Sequence, residues 1–466
     1  MSNKIEYKGN WYLPNSPDKQ VSGTLSINEN GEAIIELIGS LRDMASEGES
    51  SMPLDATTDI ILGIAAGGKD ITLLGRFIIG QDFFIAGLPH PALKEKSPTP
   101  QVSRDTANHV FVGIHFDSKD EIRFREISVN YSLLDEWAHI TGFGDVVEKG
   151  RREIEFHYRA PDSILLATVD DFKIYVGANA SGSKPVSWAS RNATIDERTF
   201  IRIEFSEEKP LEYCLNIVYQ IANFLSFAML QPVYPLNVTA QTDRALQDVQ
   251  IFLPQQEMRA SVQIEPLFTL DDIKEQTDAL LTCWFGRAEL LEPIYELYFG
   301  TIYAPRMYLY HKFLSLVQAI ESYHRRTRDN FLDPVDQHEI RITKILDSIS
   351  DEKEKKWLAK KLEHSNEPWL AMRLHKLLKE FSRFTKGFIA DRPSFVDKVV
   401  ASRHYLTHYD REKKDQAAEG VELFQLTYKL RLLTEICLLQ AIGFTDDAIE
   451  AFIERNSRYR IEPVVL

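Results

Sequence analysis

The sequence predicts an α+β protein, with a β-rich N-terminal module in two lobes followed by a C-terminal all-α helical bundle. Three observations lead there. Apolar residues recur mainly with a period of two through the first 275 residues, the period becomes 3.6 from about residue 276, and the charge balance shifts between the two regions. Residues 301–466 hold 28 Lys and Arg against 25 Asp and Glu, a balance of +3; residues 1–300 hold 26 against 44, so −18 falls there out of a total of −15.

A chain of 466 residues, 44% of them hydrophobic, has room for about three domains with real cores. The expected boundaries are 1–150, a β-rich domain; 151–275, a second β-rich lobe ending in a helix; and 276–466, the helical domain. The opening Met1-Ser2-Asn3-Lys4 has no apolar signal-peptide core. The most apolar later run, Leu211 to Leu230, is interrupted by Glu212, Asn216, Gln220 and Asn223, and reads as a buried helix rather than a membrane span. Cys214, Cys283 and Cys437 are widely spaced, which argues against a disulfide framework or a zinc ribbon and for a reducing cytoplasm.

Within the first module, Val21–Ile27 and Ala33–Leu37 flank Asn28-Glu29-Asn30-Gly31, whose Asn-Gly step signals a hairpin. A second hairpin is expected from Asp59–Ala65 and Ile71–Leu74 around Gly67-Gly68-Lys69-Asp70. The run His109–Phe116 alternates, with His115 turned toward the surface. Gly63 followed by Gly68-Lys69 nearly matches a phosphate-binding loop, but Asp70 stands where Ser or Thr must bind Mg²⁺ and a strand follows instead of a helix. Ser40–Thr58 and Leu93–Asn108 read as long loops. Ile154–Tyr158, Ser163–Thr168, Phe172–Ala178 and Thr199–Phe205 are further strands, and Trp137 and Trp188 read as core or interface aromatics.

In the last third, helices are expected at Leu280–Leu297, Arg306–Thr327, Gln337–Leu346, Leu370–Phe384, Ser394–Tyr409 and Val421–Ile442, the last closed by Gly443. Pro393, Ser394 and Asp397 supply an N-terminal cap for the fifth. There Val396, Val399 and Val400 form an apolar stripe that Arg403 continues, so a permanent charge stands where a core residue is expected. Its burial requires a carboxylate partner or an anionic ligand such as phosphate. His404 and His408 share one face at i,i+4, while Arg403 and His408 lie about 140° apart and converge only through the length of the arginine. Glu321 likewise falls on the apolar face of its helix, four residues after Val317.

Arg403-x4-His408 late in the penultimate long helix of a bundle resembles the signature of HEPN ribonuclease domains. The chain is most similar to the ApeA-like group of bacterial anti-phage proteins, on three stretches: Trp11-Tyr12-Leu13-Pro14 with Val21-Ser22-Gly23-Thr24-Leu25; Phe313–Arg326, which contains Glu321; and Ser402–Tyr409. The resemblance implies a HEPN helical domain after the β-rich module. It also implies a metal-independent endoribonuclease of abortive infection, without a cofactor, in which the RNA's own 2′-hydroxyl attacks. The implied catalytic residues are Arg403, His408 and Glu321: His408 moves a proton, Arg403 clamps the phosphate, and Glu321 orients Arg403. His404 and His324 are implied as RNA-binding or supporting residues. The implied partners are RNA, foremost tRNA, a second copy of the chain through the HEPN domain, and a phage-derived trigger sensed by the N-terminal module.

Two other readings compete. A non-catalytic HEPN sensor would use the bundle only to dimerise. A zinc site on His404-x3-His408 would need a third ligand, and the H-E-x-x-H glutamate is missing.

Overall fold

In the computed structural model, the described residues are 4–39, 41, 57–78, 102–144, 147–148, 154–155, 157–182, 194–244, 248–254 and 265–460. The chain divides into two compact units, one of Met1–Ser226, Val233–Ile264 and Thr269–Lys274, the other of Phe227–Pro232, Glu265–Phe268 and Glu275–Leu466. Trp188 and most of the expected loops Ser40–Thr58 and Leu93–Asn108 lie outside the described residues. No helix among the described residues is long and apolar enough to cross a membrane.

The strands in chain order are β1 (Ile5–Leu13), β2 (Ser16–Ile27), β3 (Ala33–Ile38), β4 (Thr57–Ala65), β5 (Lys69–Ile78), β6 (Val102–Ala107), β7 (His109–Val112), β8 (Arg123–Tyr131), β9 (Val147–Glu148) and β10 (Ile154–Glu155). They continue with β11 (Ile164–Val169), β12 (Phe172–Gly182), β13 (Ile195–Pro210), β14 (Pro235–Gln241) and β15 (Val249–Phe252). Apart from the small β9–β10 ribbon they form one sheet in the order β11-β12-β13-β8-β14-β15-β7-β5-β4-β1-β2-β3-β6. Every neighbouring pair is antiparallel, and β8 joins β13 to β14, so strands from both sides of residue 150 share this sheet. Alternation sends Trp11, Leu25, Ile35, Ile61, Leu73 and Val110 into one core cluster.

Both expected hairpins form. Asn28 Oδ1 accepts the backbone N–H groups of Asn30 (3.0 Å) and Glu32 (2.9 Å) across the β2–β3 turn. Between β4 and β5, Gly67 and Gly68 both have positive φ, +86° and +74°, which only glycine adopts cheaply. The glycine spacing of a phosphate loop therefore has a steric origin: a Cβ at Gly63 would lie 2.3 Å from the ring of Trp11. His115 is not a plain surface residue. Its Nε2 donates to the Gly63 carbonyl at 2.9 Å, and its side chain is 22% exposed.

Two strands differ from what the periodicity predicts. Val102–Ala107, expected to belong to a loop, is β6 and pairs with β3. VSRDTA has too few apolar residues to announce an edge strand, and the ladder to β3 supplies what periodicity does not. β7 stops at Val112, because Gly113 (φ +112°) turns the chain and its N–H bonds the Asp70 carbonyl at 2.8 Å.

The helices are α1 (Leu134–Ala138), α2 (Leu211–Met229), α3 (Leu270–Ile273), α4 (Thr277–Gly286), α5 (Ala288–Tyr303), α6 (Leu309–Thr327), α7 (Val335–Asp347), α8 (Glu352–Leu362), α9 (Leu370–Glu380), α10 (Ser382–Thr385), α11 (Arg392–His408), α12 (Gly420–Ala441) and α13 (Asp446–Arg455). α2 buries Cys214, Val218 and Ile221 as the apolar run predicts, and Trp137 is 1% exposed in the core beside Phe224.

The expected helix Leu280–Leu297 is two, α4 and α5, broken at Arg287. Pro293 sits within α5 and has no N–H for the Glu289 carbonyl, and Arg326 Nη2 from α6 donates to that carbonyl at 3.1 Å. Leu370–Phe384 is likewise divided into α9 and α10. α8 and α13 were not anticipated, since one is lysine-rich all round and the other short.

Candidate active site

In the helical unit α6 packs against α5, α12, α9 and α11. Its buried face, Phe313, Leu316, Val317 and Ile320, leaves Leu314, Glu321 and Ser322 at the margin, half-buried. α11 begins one turn earlier than the Ser394 cap would place it. Asp391 is the cap, accepting the Ser394 N–H at 3.0 Å, and Pro393 stands in the first turn where its missing N–H costs nothing.

The buried face of α11 is Phe395, Val396, Val399 and Ser402. Ser402, not Arg403, continues the valine stripe, and its Oγ accepts the Ala418 N–H at 2.8 Å, pinning the segment that leads into α12. Arg403 is thereby displaced to the edge of the stripe, half-buried. It opens into a cleft of about 470 Å³ between α6 and α11, to which α6 contributes Gln318, Glu321, Ser322 and Arg325, and α11 contributes Arg403 and Thr407. Leu314 and Val317 supply its apolar wall. Thr407 Oγ1 donates to the Arg403 carbonyl at 2.7 Å.

The structure brings Arg403 and Glu321 to this cleft, yet no hydrogen bond or ion pair joins them among the described residues. The Glu321 carboxylate instead acts on Arg373 of α9, stabilising its charge. His408 is exposed at the end of α11 and does not line the cleft. It stands beside His404, ring centroids 5.0 Å apart, and His404 Nε2 lies 3.5 Å from Asp410 Oδ2. Tyr409 closes the helix in the left-handed region, φ +53°. Among the described residues no three His, Cys, Asp or Glu side chains converge as a metal set.

His324 is placed elsewhere. It is 1% exposed, and its Nδ1 accepts from Arg373 Nη1 at 3.2 Å, so the ring is neutral with its proton on Nε2. Burial first, then the neighbouring Arg373, push its pKa down to about 4.

Sequence reasoning missed Arg373, 0% exposed, with Glu367 Oε2 3.6 Å from its Nη2 and no hydrogen-bond partner for Nε or Nη2. Burial lowers its pKa, and Arg325 adds to that. The signal was present, because Leu370, Arg373, Leu374 and Leu377 have the i, i+3, i+4, i+7 spacing of a buried face. Arg325 was missed too. It lines the cleft while its Nη2 donates to Glu367 Oε2 at 2.9 Å, so one carboxylate serves both arginines.

Comparison with family models decides the family. Residues 6–284 match ApeA N-terminal domain 1, and residues 314–448 match the Apea-like HEPN domain. The chain belongs to the ApeA family. The α6–α11 cleft thus lies in an ApeA-like HEPN domain, and the chain stands among the HEPN proteins of anti-phage defence. Neither the comparison with curated proteins nor that with solved structures returned a match.

Proposed function

We propose that this ApeA-family chain is a metal-independent endoribonuclease that cuts single-stranded RNA loops, foremost those of tRNA, by attack of the RNA's own 2′-hydroxyl. The observation that carries this reading is the cleft beside Arg403. A guanidinium with no carboxylate partner among the described residues opens there onto about 470 Å³, in a HEPN domain. A phosphodiester is the anion such a site fits. Its two non-bridging oxygens match the planar fork of Arg403, and the charge that grows on them during in-line attack is met by a cation already in place.

His408 takes the proton of the 2′-hydroxyl or returns one to the leaving 5′-oxygen, since an imidazole exchanges protons near neutral pH. It lies outside the cleft of its own subunit, which favours a composite site in a homodimer, with α11 of a second copy bringing its histidine toward a bound strand. Glu321, on the α6 wall of the same cleft, is the carboxylate that orients Arg403 when a strand is bound. Single-stranded loops suit the reaction because an unstacked nucleotide reaches the in-line geometry that a helical one does not. Residues 1–275, which hold the acidic excess, sense a phage component and regulate the nuclease.

The test is incubation of the pure protein with total cellular RNA, with and without EDTA, followed by mapping of the ends. The expected products carry a cyclic phosphate and a 5′-hydroxyl and form equally in EDTA. Intact RNA, or cleavage that EDTA stops, refutes the reading.

A further inference from the structure

Between α6 and α9 the chain leaves the body of the HEPN domain as a hairpin of α7 and α8. None of the residues of either helix is buried. The hairpin is closed at its neck, where Leu332 N–H donates to Asn366 O at 2.8 Å, and Asp333 N–H to Asn366 Oδ1 at 2.9 Å. Ile342, Leu346, Leu358 and Leu362 are half-buried, which is what a two-helix seam without further cover provides. Trp357 stands off that seam, 57% exposed.

An exposed tryptophan on a helix with no buried residue contributes nothing to a core, and its surroundings are cationic. Lys353, Lys360 and Lys361 are its i−4, i+3 and i+4 neighbours, the positions that share its face. One carboxylate, Glu354, is at i−3. Of the remaining lysines, Lys355 is turned away to Asp347, Nζ to Oδ1 3.1 Å. The segment Glu352–Leu362 carries five lysines and two glutamates, a balance of +3 in a chain whose total is −15. That equals the whole basic excess of residues 301–466.

We infer that the face of α8 around Trp357 is an RNA-docking platform, on which the indole stacks against an unpaired base and Lys353, Lys360 and Lys361 hold the adjoining phosphates. A protein partner fits this surface less well, because it would have to desolvate three ammonium groups around one ring, and lysine is depleted from the centres of protein interfaces. A single strand needs both parts, a π-face for its bases and cations for its backbone. The inference deepens the nuclease reading and rests on it for the identity of the strand: the arm collects the single-stranded segment that the α6–α11 cleft cuts.

The test measures binding of a fluorescent single-stranded RNA to full-length protein in an Arg403→Ala background, by anisotropy across a salt series. Trp357→Ala weakens binding on the order of tenfold, and Trp357→Phe, which keeps a ring, retains most of it. The triple variant Lys353→Ala, Lys360→Ala, Lys361→Ala lowers the slope of log affinity against log salt by about 2, at about 0.7 per phosphate contact released. Circular dichroism and melting temperature stay at parental values for all three. Parental affinity and slope in the variants overturn the platform. Unchanged RNA affinity with loss of a dimer in Trp357→Ala overturns it too, by assigning the face to a second copy of the chain. RNA binding that depends on these residues, when the parent protein with Arg403 intact leaves total cellular RNA uncut, supports the platform and refutes the nuclease reading. A protein that binds no RNA refutes both.

Discussion

An arginine on an apolar helical face demands a partner, and the helical domain holds two such residues with different answers. Arg403 was legible from the valine stripe of α11, but Ser402 takes the core position and leaves the guanidinium at a cleft. Arg373 is the arginine that is buried, and its partners come from α6 and from the turn before α9, which no local pattern reveals. Arg403→Ala and His408→Ala are each expected to lower RNA cleavage about 10²- to 10³-fold with the fold intact. Arg403→Lys should fail similarly, because lysine keeps the charge without the planar fork. Cleavage assays beside circular dichroism check all three. His324 belongs to stability instead. Its pKa falls from 6.5 to about 4 on folding, so the unfolded chain binds its proton first. Stability from this group is complete above pH 6.5 and is lost as pH falls toward 4, with about 2 kcal/mol gone by pH 5. Melting temperatures between pH 8 and 5 should show that decline, and His324→Asn, which still accepts from Arg373, should flatten it.

Element by element, the sequence discloses what periodicity encodes and hides what neighbours impose. The β2–β3 and β4–β5 hairpins follow from their turn residues, and α2, α6, α7, α11 and α12 from apolar spacing, with ends off by a few residues. β6 is held by its ladder to β3, and the break between α4 and α5 falls at Arg287 without a strong local breaker there beyond Gly286. α12 shows the same limit from inside, its stretch Leu432–Leu439 being buried all round and hiding Glu435 at 0% exposure among apolar neighbours. That carboxylate accepts from Tyr298 Oη (3.0 Å), Tyr459 Oη (2.8 Å) and Arg431 Nε (3.0 Å), with Arg458 Nη2 at 3.4 Å. Burial works against its charge, and the guanidinium groups of Arg458 and Arg431 together with the hydroxyls of Tyr459 and Tyr298 hold its pKa below the usual carboxylate range. Glu435→Gln leaves two arginines without their counter-charge and should destabilise the domain by about 3–5 kcal/mol, read as a fall in the denaturant midpoint.

At the scale of the whole molecule, a β-rich half followed by a helical half was legible from the change of period, and the charge asymmetry set the helical half apart as the less acidic one, the half to which the proposed function assigns RNA. That Arg403 and Glu321 share a site was expected from the resemblance alone and from no pattern in the residues, and the arrival of Arg325 in the same cleft was not expected at all, because it depends on how α6 packs against α11. The position of His408 outside that cleft bears on assembly. A composite site requires two copies, so light scattering on active protein at micromolar concentration should show a dimer, and a strict monomer that still cuts RNA would remove that requirement.

The α7–α8 hairpin, drawn together at Leu332 and Asn366 and with no residue of either helix fully buried, is free to keep a timescale of its own. An element that gives no side chain to the core can lose its order and regain it without the rest of the domain opening. Its amides should therefore exchange with deuterium through local openings far less costly than global unfolding, while those of α6 and α12 wait for the whole domain. A strand resting on Trp357 would slow exchange in α8 selectively, so the arm would report its own occupancy while the core kept its separate, slower clock.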